Sequence, residues 1–171
     1  MIITQLNGGL GNQMFQYAAG RSLAFSLNTE LKLDISQLGQ DTRRNYNLSV
    51  FSIKENIVSD RDLKMVRRPF TWMIKHPTQA LESLIRRGTR IRYVKESQFH
   101  FDPEIPELPD NVYLEGYWQS EKYFKKIEPL IRQDFRLQSG LGPGVERLSE
   151  RIGKGNAISI HFRRGDFISN Q

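Results

Sequence analysis

The order of apolar and polar positions predicts that the chain begins with a strand, a glycine turn, a helix and a second strand. Residues 2–6 form a short apolar run with β-branched side chains, which is typical of a buried parallel strand. Residues 7–12 read Asn-Gly-Gly-Leu-Gly-Asn and indicate a tight turn, because glycine adopts backbone conformations that other residues reach only at a cost. Asn12 is the expected N-cap of a helix over residues 13–27, and residues 30–35 alternate as a second strand. This strand–helix–strand unit predicts an α/β fold.

The rest of the chain continues the alternation of helical and extended patterns. A glycine-rich and proline-containing stretch over residues 139–144 has the composition of a linker. The pattern predicts helices over 60–68 (capped by Asp60) and 78–87, strands over 91–94 and 112–118, a helix capped by Ser120, a helix over 145–152 and a strand over 156–162.

Composition excludes several kinds of site. The 171 residues include no cysteine, which rules out disulfide scaffolds, thiolate zinc sites and cysteine nucleophiles. The three histidines are scattered without the spacing of metal ligands, so no metal site is predicted. No secretory leader and no apolar run of about 18 residues is present, and a cytoplasmic protein is therefore expected.

The positive charge is concentrated in one segment. Residues 61–95 carry ten Lys or Arg against two acidic residues, a net charge of +8 in a chain whose total is +6. Such a segment can attract an anionic membrane surface or an anionic glycan. Nucleic acid is a third and weaker option, so no nucleic-acid partner is predicted. A solvated helical face explains it as well, and peripheral membrane contact through this segment stays open.

An arginine-rich motif follows the last predicted strand. Residues 161–167 read His-Phe-Arg-Arg-Gly-Asp-Phe, and ligands of open α/β sheets bind beyond the carboxyl ends of strands. Arg163 and Arg164 suit a diphosphate, because guanidinium groups match phosphate oxygens and keep their charge. Asp166 can fix one arginine by an ion pair. The motif predicts a diphosphate site, with an exposed ion-pair cluster as the alternative.

The glycine turn is a second candidate site. Gly9 and Gly11 begin a Gly-x-Gly pattern, but Met14 stands where a dinucleotide fingerprint has its third glycine, which disfavours nicotinamide binding. Asn12 and Gln13 place two amide side chains at a helix start, where they can bond sugar hydroxyls or phosphate. Helix capping explains them equally well.

The end of the strand over 112–118, together with the residues that follow it, is the third candidate. Trp118 can stack on a sugar face, while Gln119 and Glu121 can bond to hydroxyl groups of an acceptor. Aromatic residues in such a position are more often part of a core.

Taken together, residues 7–18, 116–124 and 161–167 resemble the bacterial α-1,2-fucosyltransferases of glycosyltransferase family 11. The resemblance implies a GT-B fold of two Rossmann-like domains, GDP-fucose as donor, inversion at the anomeric carbon and no required metal. It also implies a β-galactoside acceptor that is fucosylated at its 2-hydroxyl, in enzymes that build bacterial surface polysaccharide.

The resemblance also assigns roles to residues. It places GDP-fucose against the arginine motif and the glycine turn, and leaves open which arginine meets the β-phosphate. Asp166 is a candidate catalytic base, although bracing of an arginine is the favoured role, and Arg164 is the candidate group for charge stabilisation. The implied GDP-fucose-binding residues are His161, Arg163, Arg164, Asp166, Gly9, Gly11, Asn12 and Gln13.

The resemblance finally predicts how the chain divides. Residues 1–153 are the expected amino-terminal Rossmann-like domain, and residues 154–171 are the expected first strand and loop of the nucleotide-sugar domain. Family members are about twice as long, so this chain is expected to be a fragment with little transferase activity. The alternative is a non-catalytic module that binds an anionic glycan or a membrane surface through the basic segment.

Overall fold

A computed structural model describes residues 1–39, 45–67 and 91–160. The chain forms two compact units, Met1–Gln138 and Ser139–Gln171. The boundary predicted between residues 153 and 154 stays a prediction.

The first unit is built on a parallel sheet of five strands. The strands are β1 (Ile2–Gln5), β2 (Leu31–Asp34), β3 (Val66–Arg67), β4 (Ile91–Lys95) and β5 (Val112–Glu115), in the order β2-β1-β5-β4-β3. Each neighbouring pair runs parallel, and β1 lies between β2 and β5. This arrangement confirms the predicted α/β, Rossmann-like fold. The strands are apolar because a parallel sheet is covered on both faces, and their fully buried residues include Ile2, Ile3, Leu33, Val112 and Leu114.

Helix α1 (Leu10–Ser26) begins three residues earlier than predicted. Gly9 is its N-cap in an extended conformation, and the backbone N–H of Gln13 already bonds to the Gly9 carbonyl at 3.1 Å. The prediction that Asn12 caps this helix is therefore wrong. Gly8, with φ +74°, turns the chain just before the helix, and Asn12 lies in the first helical turn with its side chain available for other contacts.

Helix α1 packs closely on strand β1 through a glycine. A Cβ atom at Gly20 would lie 2.0 Å from Thr4 Oγ1 and 3.0 Å from Leu31 Cδ1. Gly20 therefore allows the close contact between helix and strand that the third glycine provides in a dinucleotide fingerprint. Thr4 is fully buried beneath it.

The predicted helix over residues 60–68 is shorter in the structure. Helix α2 (Asp60–Leu63) is a single turn, and strand β3 begins at Val66 after two intervening residues. Its N-cap is Ser59 rather than Asp60, because Ser59 and Asp62 form a reciprocal capping box. The helix predicted over 78–87 lies outside the described residues.

The chain after β5 forms short helical turns and one further helix. Two 3₁₀ turns, Glu121–Tyr123 and Lys125–Ile127, lead into α3 (Glu128–Asp134). Ser120 caps the first turn by accepting a hydrogen bond from the Lys122 backbone N–H, as predicted. Two other 3₁₀ turns are Leu48–Val50 and Ile105–Glu107.

In the second unit, helix α4 (Pro143–Gly153) confirms the helix predicted over 145–152. Val145, Leu148 and Ile152 share one side of it and are each about half exposed. Residues 156–160 form no strand, so the prediction of a strand there is wrong for those residues. Ile158 is 90% exposed, whereas a buried parallel strand needs paired neighbours on both sides. Within the described part of the chain, no helix is both long and apolar enough to cross a membrane.

Candidate functional site

The glycine turn and the segment after β5 meet at one edge of the sheet. Strands β1 and β5 are parallel neighbours, so the loops that follow them emerge side by side. Gln119 donates a hydrogen bond from Nε2 to Oδ1 of Asn12 at 2.8 Å, at a solvent-exposed position. Two of the three segments singled out in the sequence are therefore in contact, although their residues lie 107 positions apart.

We call residues 116–119 the 116–119 arm. Gln16, on the first half of α1, ties this arm to the glycine turn from below. Its Nε2 donates to the carbonyl of Gly116 at 3.0 Å and its Oε1 accepts from the backbone N–H of Asn7 at 3.0 Å. Gln16 is fully buried. Because both ends of its amide are used, it fixes the relative position of the two loops.

Gln13 has a different role from Asn12, its neighbour. The Gln13 side chain is fully buried, and Nε2 donates to the carbonyls of Gly8 (3.0 Å) and Asn45 (2.9 Å). Its Oε1 accepts from the Asn47 backbone N–H at 3.0 Å. The amide therefore holds the chain around residue 46 against the glycine turn, and its predicted contact with a ligand stays a prediction.

Gly8 is the glycine whose conformation shapes the turn. It has φ +74°, and a Cβ there would lie 2.4 Å from Nδ2 of Asn12. Gly11, in contrast, has open space where a Cβ would stand, and Gly9 is the helix N-cap. Gly9 and Gly11 were the glycines predicted to bind the ligand, and Gly8 was not among them, although positive φ is a conformation that glycine adopts readily in a turn.

Trp118 lies in the core rather than on the surface. Trp118 is 0% exposed, and its ring packs edge-on against the ring of Tyr123, with 5.8 Å between the ring centroids. Its backbone has φ +54°, a conformation that is uncommon for any residue but glycine. The core interpretation left open for this tryptophan is the one that the structure shows.

Glu121 stands at the rim of a cavity of about 350 Å³ beside the glycine turn. The walls are mainly apolar, and Glu121 pairs with Lys125 at 3.6 Å along the rim. The cavity lies between α1 and α3, and its lining includes Gly11, Met14, Phe15, Phe124, Ile131 and Phe135.

Asp34, at the end of β2, is tied into a buried polar group. Its Oδ2 accepts a hydrogen bond from the Tyr113 hydroxyl at 2.6 Å and its Oδ1 accepts from the Ser36 backbone N–H at 2.9 Å. Gln5 donates to the same hydroxyl at 3.0 Å. Asp34 is 1% exposed. Its hydrogen bonds therefore stabilise the end of strand β2 inside the protein.

The arginine motif, with His161, Arg163, Arg164 and Asp166, lies outside the described residues, and its assignments stay predictions. In the part of the chain that the structure describes, no group of three or more His, Asp or Glu side chains could hold a metal ion.

Comparison with known proteins shows two bacterial glycosyltransferases among the relatives. The chain is 28% identical over 171 residues to an α-1,2-colitosyltransferase of Escherichia coli. The matched region covers 99% of this chain and 56% of that protein. The chain is 30% identical over 182 residues to the O-antigen biosynthesis glycosyltransferase WbnK of Escherichia coli, covering 96% of this chain and 59% of the relative. No family model matches the chain, and no solved structure matches it.

The fold is consistent with the class of protein to which these two relatives belong. The chain is a Rossmann-like α/β protein whose homologues are bacterial glycosyltransferases, and it spans somewhat more than half of their length. One of those homologues is named for an α-1,2 transfer.

Proposed function

We propose that this chain is part of an inverting glycosyltransferase that moves L-fucose from GDP-fucose to the 2-hydroxyl of a β-galactoside. The observation that carries the proposal is similarity over nearly the whole chain to two bacterial glycosyltransferases, one of them α-1,2-specific by name. The contact between Asn12 and Gln119 supports it, because it joins two of the three segments on which the resemblance to fucosyltransferases rests.

The amide pair offers complementary groups to a sugar. The hydrogen bond between them uses Nε2 of Gln119 and Oδ1 of Asn12. Each amide carries both a donor and an acceptor group. The Nδ2 group of Asn12 can therefore donate to one sugar oxygen while Oε1 of Gln119 accepts from a hydroxyl.

The arginine motif supplies the charge complement in this proposal. In an inverting transfer, the acceptor hydroxyl loses a proton and attacks the anomeric carbon opposite the departing GDP. Negative charge then grows on the diphosphate, where Arg163 or Arg164 would stabilise it. Removal of one such donor typically costs about 3–4 kcal/mol of transition-state stabilisation. Asp166 either takes the proton or braces an arginine, and no metal is required.

A colitosyl donor is the second candidate, and the relative named as an α-1,2-colitosyltransferase favours it. Colitose is L-fucose without the 3-hydroxyl group, so the two donors differ by one hydrogen-bonding group. A site that bonds this hydroxyl would discriminate strongly against colitose, because a buried polar partner would be left unpaired.

The test is a donor panel with lactose as acceptor. GDP-L-fucose, GDP-colitose and UDP-galactose are each supplied to the 171-residue chain and to a protein extended through any coding sequence that follows Gln171. The expected result is a 2-linked fucosyl product from the longer protein, unchanged by a chelator, and little product from the chain alone. A product only from GDP-colitose would mean that the donor sugar is colitose and not fucose. Transfer only from UDP-galactose would contradict the proposal.

A further inference from the structure

The 116–119 arm is held in a strained conformation. Trp118 has φ +54° and a fully buried ring. Backbone strain of this kind costs on the order of 1–3 kcal/mol and persists only where neighbouring contacts impose it. The arm is therefore fixed by specific partners, and its end, Gln119, lies against Asn12 in the candidate site.

Glu96 is the partner that holds the middle of the arm. It follows strand β4 directly, and its two carboxylate oxygens accept separate hydrogen bonds from successive backbone N–H groups. Oε2 accepts from Tyr117 at 2.7 Å and Oε1 accepts from Trp118 at 3.1 Å. Bonds between a charged acceptor and backbone donors are stronger than those between neutral groups.

The contact between Glu96 and the arm depends on a glycine. A Cβ at Gly116 would lie 2.4 Å from Cβ of Glu96, so only glycine lets the carboxylate approach so closely. On its other side, the Gly116 carbonyl accepts the bond from Gln16. The arm is therefore held by hydrogen bonds from both sides, by Glu96 at the end of β4 and by Gln16 of helix α1.

We propose that Glu96 is a positioning residue: it holds the 116–119 arm so that Gln119 meets Asn12 at the sugar-binding edge of the sheet. Glu96 bonds to the arm backbone and not to Asn12 or Gln119, so it acts through the arm. The positioning of Gln119 stands on the geometry alone, whereas its consequence for catalysis rests on the proposed function. No motif marks Glu96 in the sequence.

The test uses Glu96→Gln in the 171-residue chain, labelled with ¹⁵N. Glutamine keeps the size of the side chain but has one acceptor oxygen, and its NH₂ group would face one of the two backbone donors. We expect hydrogen exchange at the Tyr117 and Trp118 amides to become at least about tenfold faster. The side-chain amide resonances of Gln119 and Asn12 should shift towards those of the solvent-exposed amide Gln98.

Two further variants make the result specific. Gly116→Ala separates the arm from Glu96 by a different route and should change the same resonances. Glu107→Gln alters an exposed carboxylate elsewhere in the unit and should leave them unchanged. If Glu96→Gln leaves the Gln119 and Asn12 side-chain amides as in the wild type, the positioning role is wrong.

The catalytic consequence is measured in the protein that is active in the donor panel. Glu96→Gln should raise the KM for lactose or lower kcat by about tenfold or more while Glu107→Gln does neither. Unchanged kinetics with altered Gln119 resonances would show that Glu96 positions Gln119 but that this position plays no part in the transfer, which overturns the catalytic consequence. If the wild type transfers no sugar, the proposed function fails, and the resonances alone still decide whether Glu96 positions Gln119.

Discussion

At the scale of single residues, three amide side chains of one short stretch have three different environments. Asn12 lies at the surface against Gln119, Gln13 is buried against the chain around residue 46, and Gln16 is buried between the two site loops. Asn12 and Gln13 are both predicted from the sequence to bind the ligand. Amide chemistry alone does not distinguish them, because which amide is buried depends on loops that come from distant parts of the chain.

Replacement of Gln16 by Met is expected to destabilise the first unit by about 2–4 kcal/mol. Methionine has a similar size, but it leaves the half-buried Asn7 N–H and Gly116 carbonyl without their side-chain partner, at about 1–3 kcal/mol each. The free energy of unfolding in urea measures the change. Gln133→Met, at an exposed position of α3, is the matched control and should change stability by less than about 0.5 kcal/mol. Equal effects of the two substitutions would contradict the buried role of Gln16.

Gln119→Ala is expected to affect function and not stability. The side chain is exposed, so the loss of its bond to Asn12 should change the free energy of unfolding by less than about 1 kcal/mol. If the amide pair binds a sugar, kcat/KM should fall about 10- to 100-fold. The exposed Gln98→Ala is the control, and an unaltered kcat/KM in Gln119→Ala would remove the arm from the site.

At the scale of elements, the close contact between α1 and β1 depends on Gly20. An alanine there would usually favour a helix by about 1 kcal/mol. Here its Cβ would collide with Thr4 Oγ1, and we expect Gly20→Ala to destabilise the unit by about 1–3 kcal/mol. Gly11→Ala, in the same helix but with open space at its Cβ, should be neutral or stabilising in thermal unfolding. Partial recovery in Gly20→Ala/Thr4→Ala would confirm the collision, and a stabilising Gly20→Ala would refute it.

Helix α2 is joined to strand β2 by an ion pair whose strength depends on pH. Lys32 bonds to Asp62 at 2.8 Å, and this bond, with the one from Ser59, lowers the pKa of the Asp62 carboxyl. The same contact raises the pKa of Lys32. A lowered pKa in the folded state means that the stabilisation is present above the unfolded pKa and is lost as the pH falls through the folded pKa.

We therefore expect wild type to exceed Asp62→Asn in stability by about 1–3 kcal/mol between roughly pH 5 and pH 9. The difference should shrink as the pH falls from about 4, the ordinary pKa of an aspartate, through the lowered pKa of folded Asp62. It should shrink again at high pH, as the pH rises through the raised pKa of folded Lys32. Urea unfolding across this range measures it, with the exposed Asp60→Asn as control. A difference that does not change with pH would show that the ion pair contributes nothing.

The strands of the central sheet were predicted best, because burial alone explains the order of their apolar residues. Strands β1, β2, β4 and β5 read as apolar or alternating runs because the sheet is covered on both faces. The helix predicted over 60–68 was too long, because the local pattern could not show that strand β3 begins at Val66 and ends the helix. Glu96 went unnoticed for a similar reason: its partners lie about 20 residues away, and no local pattern joins them.

At the scale of the whole molecule, sequence motifs and relatives indicate the same class of protein. The order of three sequence segments predicts a glycosyltransferase, and both relatives, which match nearly the whole chain, are glycosyltransferases. The structure adds that two of these segments touch. The donor sugar, the acceptor and the role of the arginine motif are the proposals that remain to be measured.

The basic segment over residues 61–95 supports the competing proposal, a non-catalytic module that holds an anionic glycan or membrane surface. Of this segment, residues 68–90 lie outside the described part of the chain. The two proposals differ in which arginines bind the ligand. An enzyme needs Arg163 and Arg164, whereas a charged surface needs the basic segment and is dispersed by salt.

The most direct measurement is calorimetric titration of GDP, at physiological ionic strength, into the extended protein of the donor panel. We predict that Arg163→Ala or Arg164→Ala weakens GDP binding about 10- to 100-fold, as expected for a lost charge-assisted bond. The double substitution Arg86→Glu/Arg87→Glu should change the affinity for GDP little. If those two reversals abolish binding while Arg163→Ala and Arg164→Ala leave it intact, the arginine motif is not a diphosphate site and the account is contradicted.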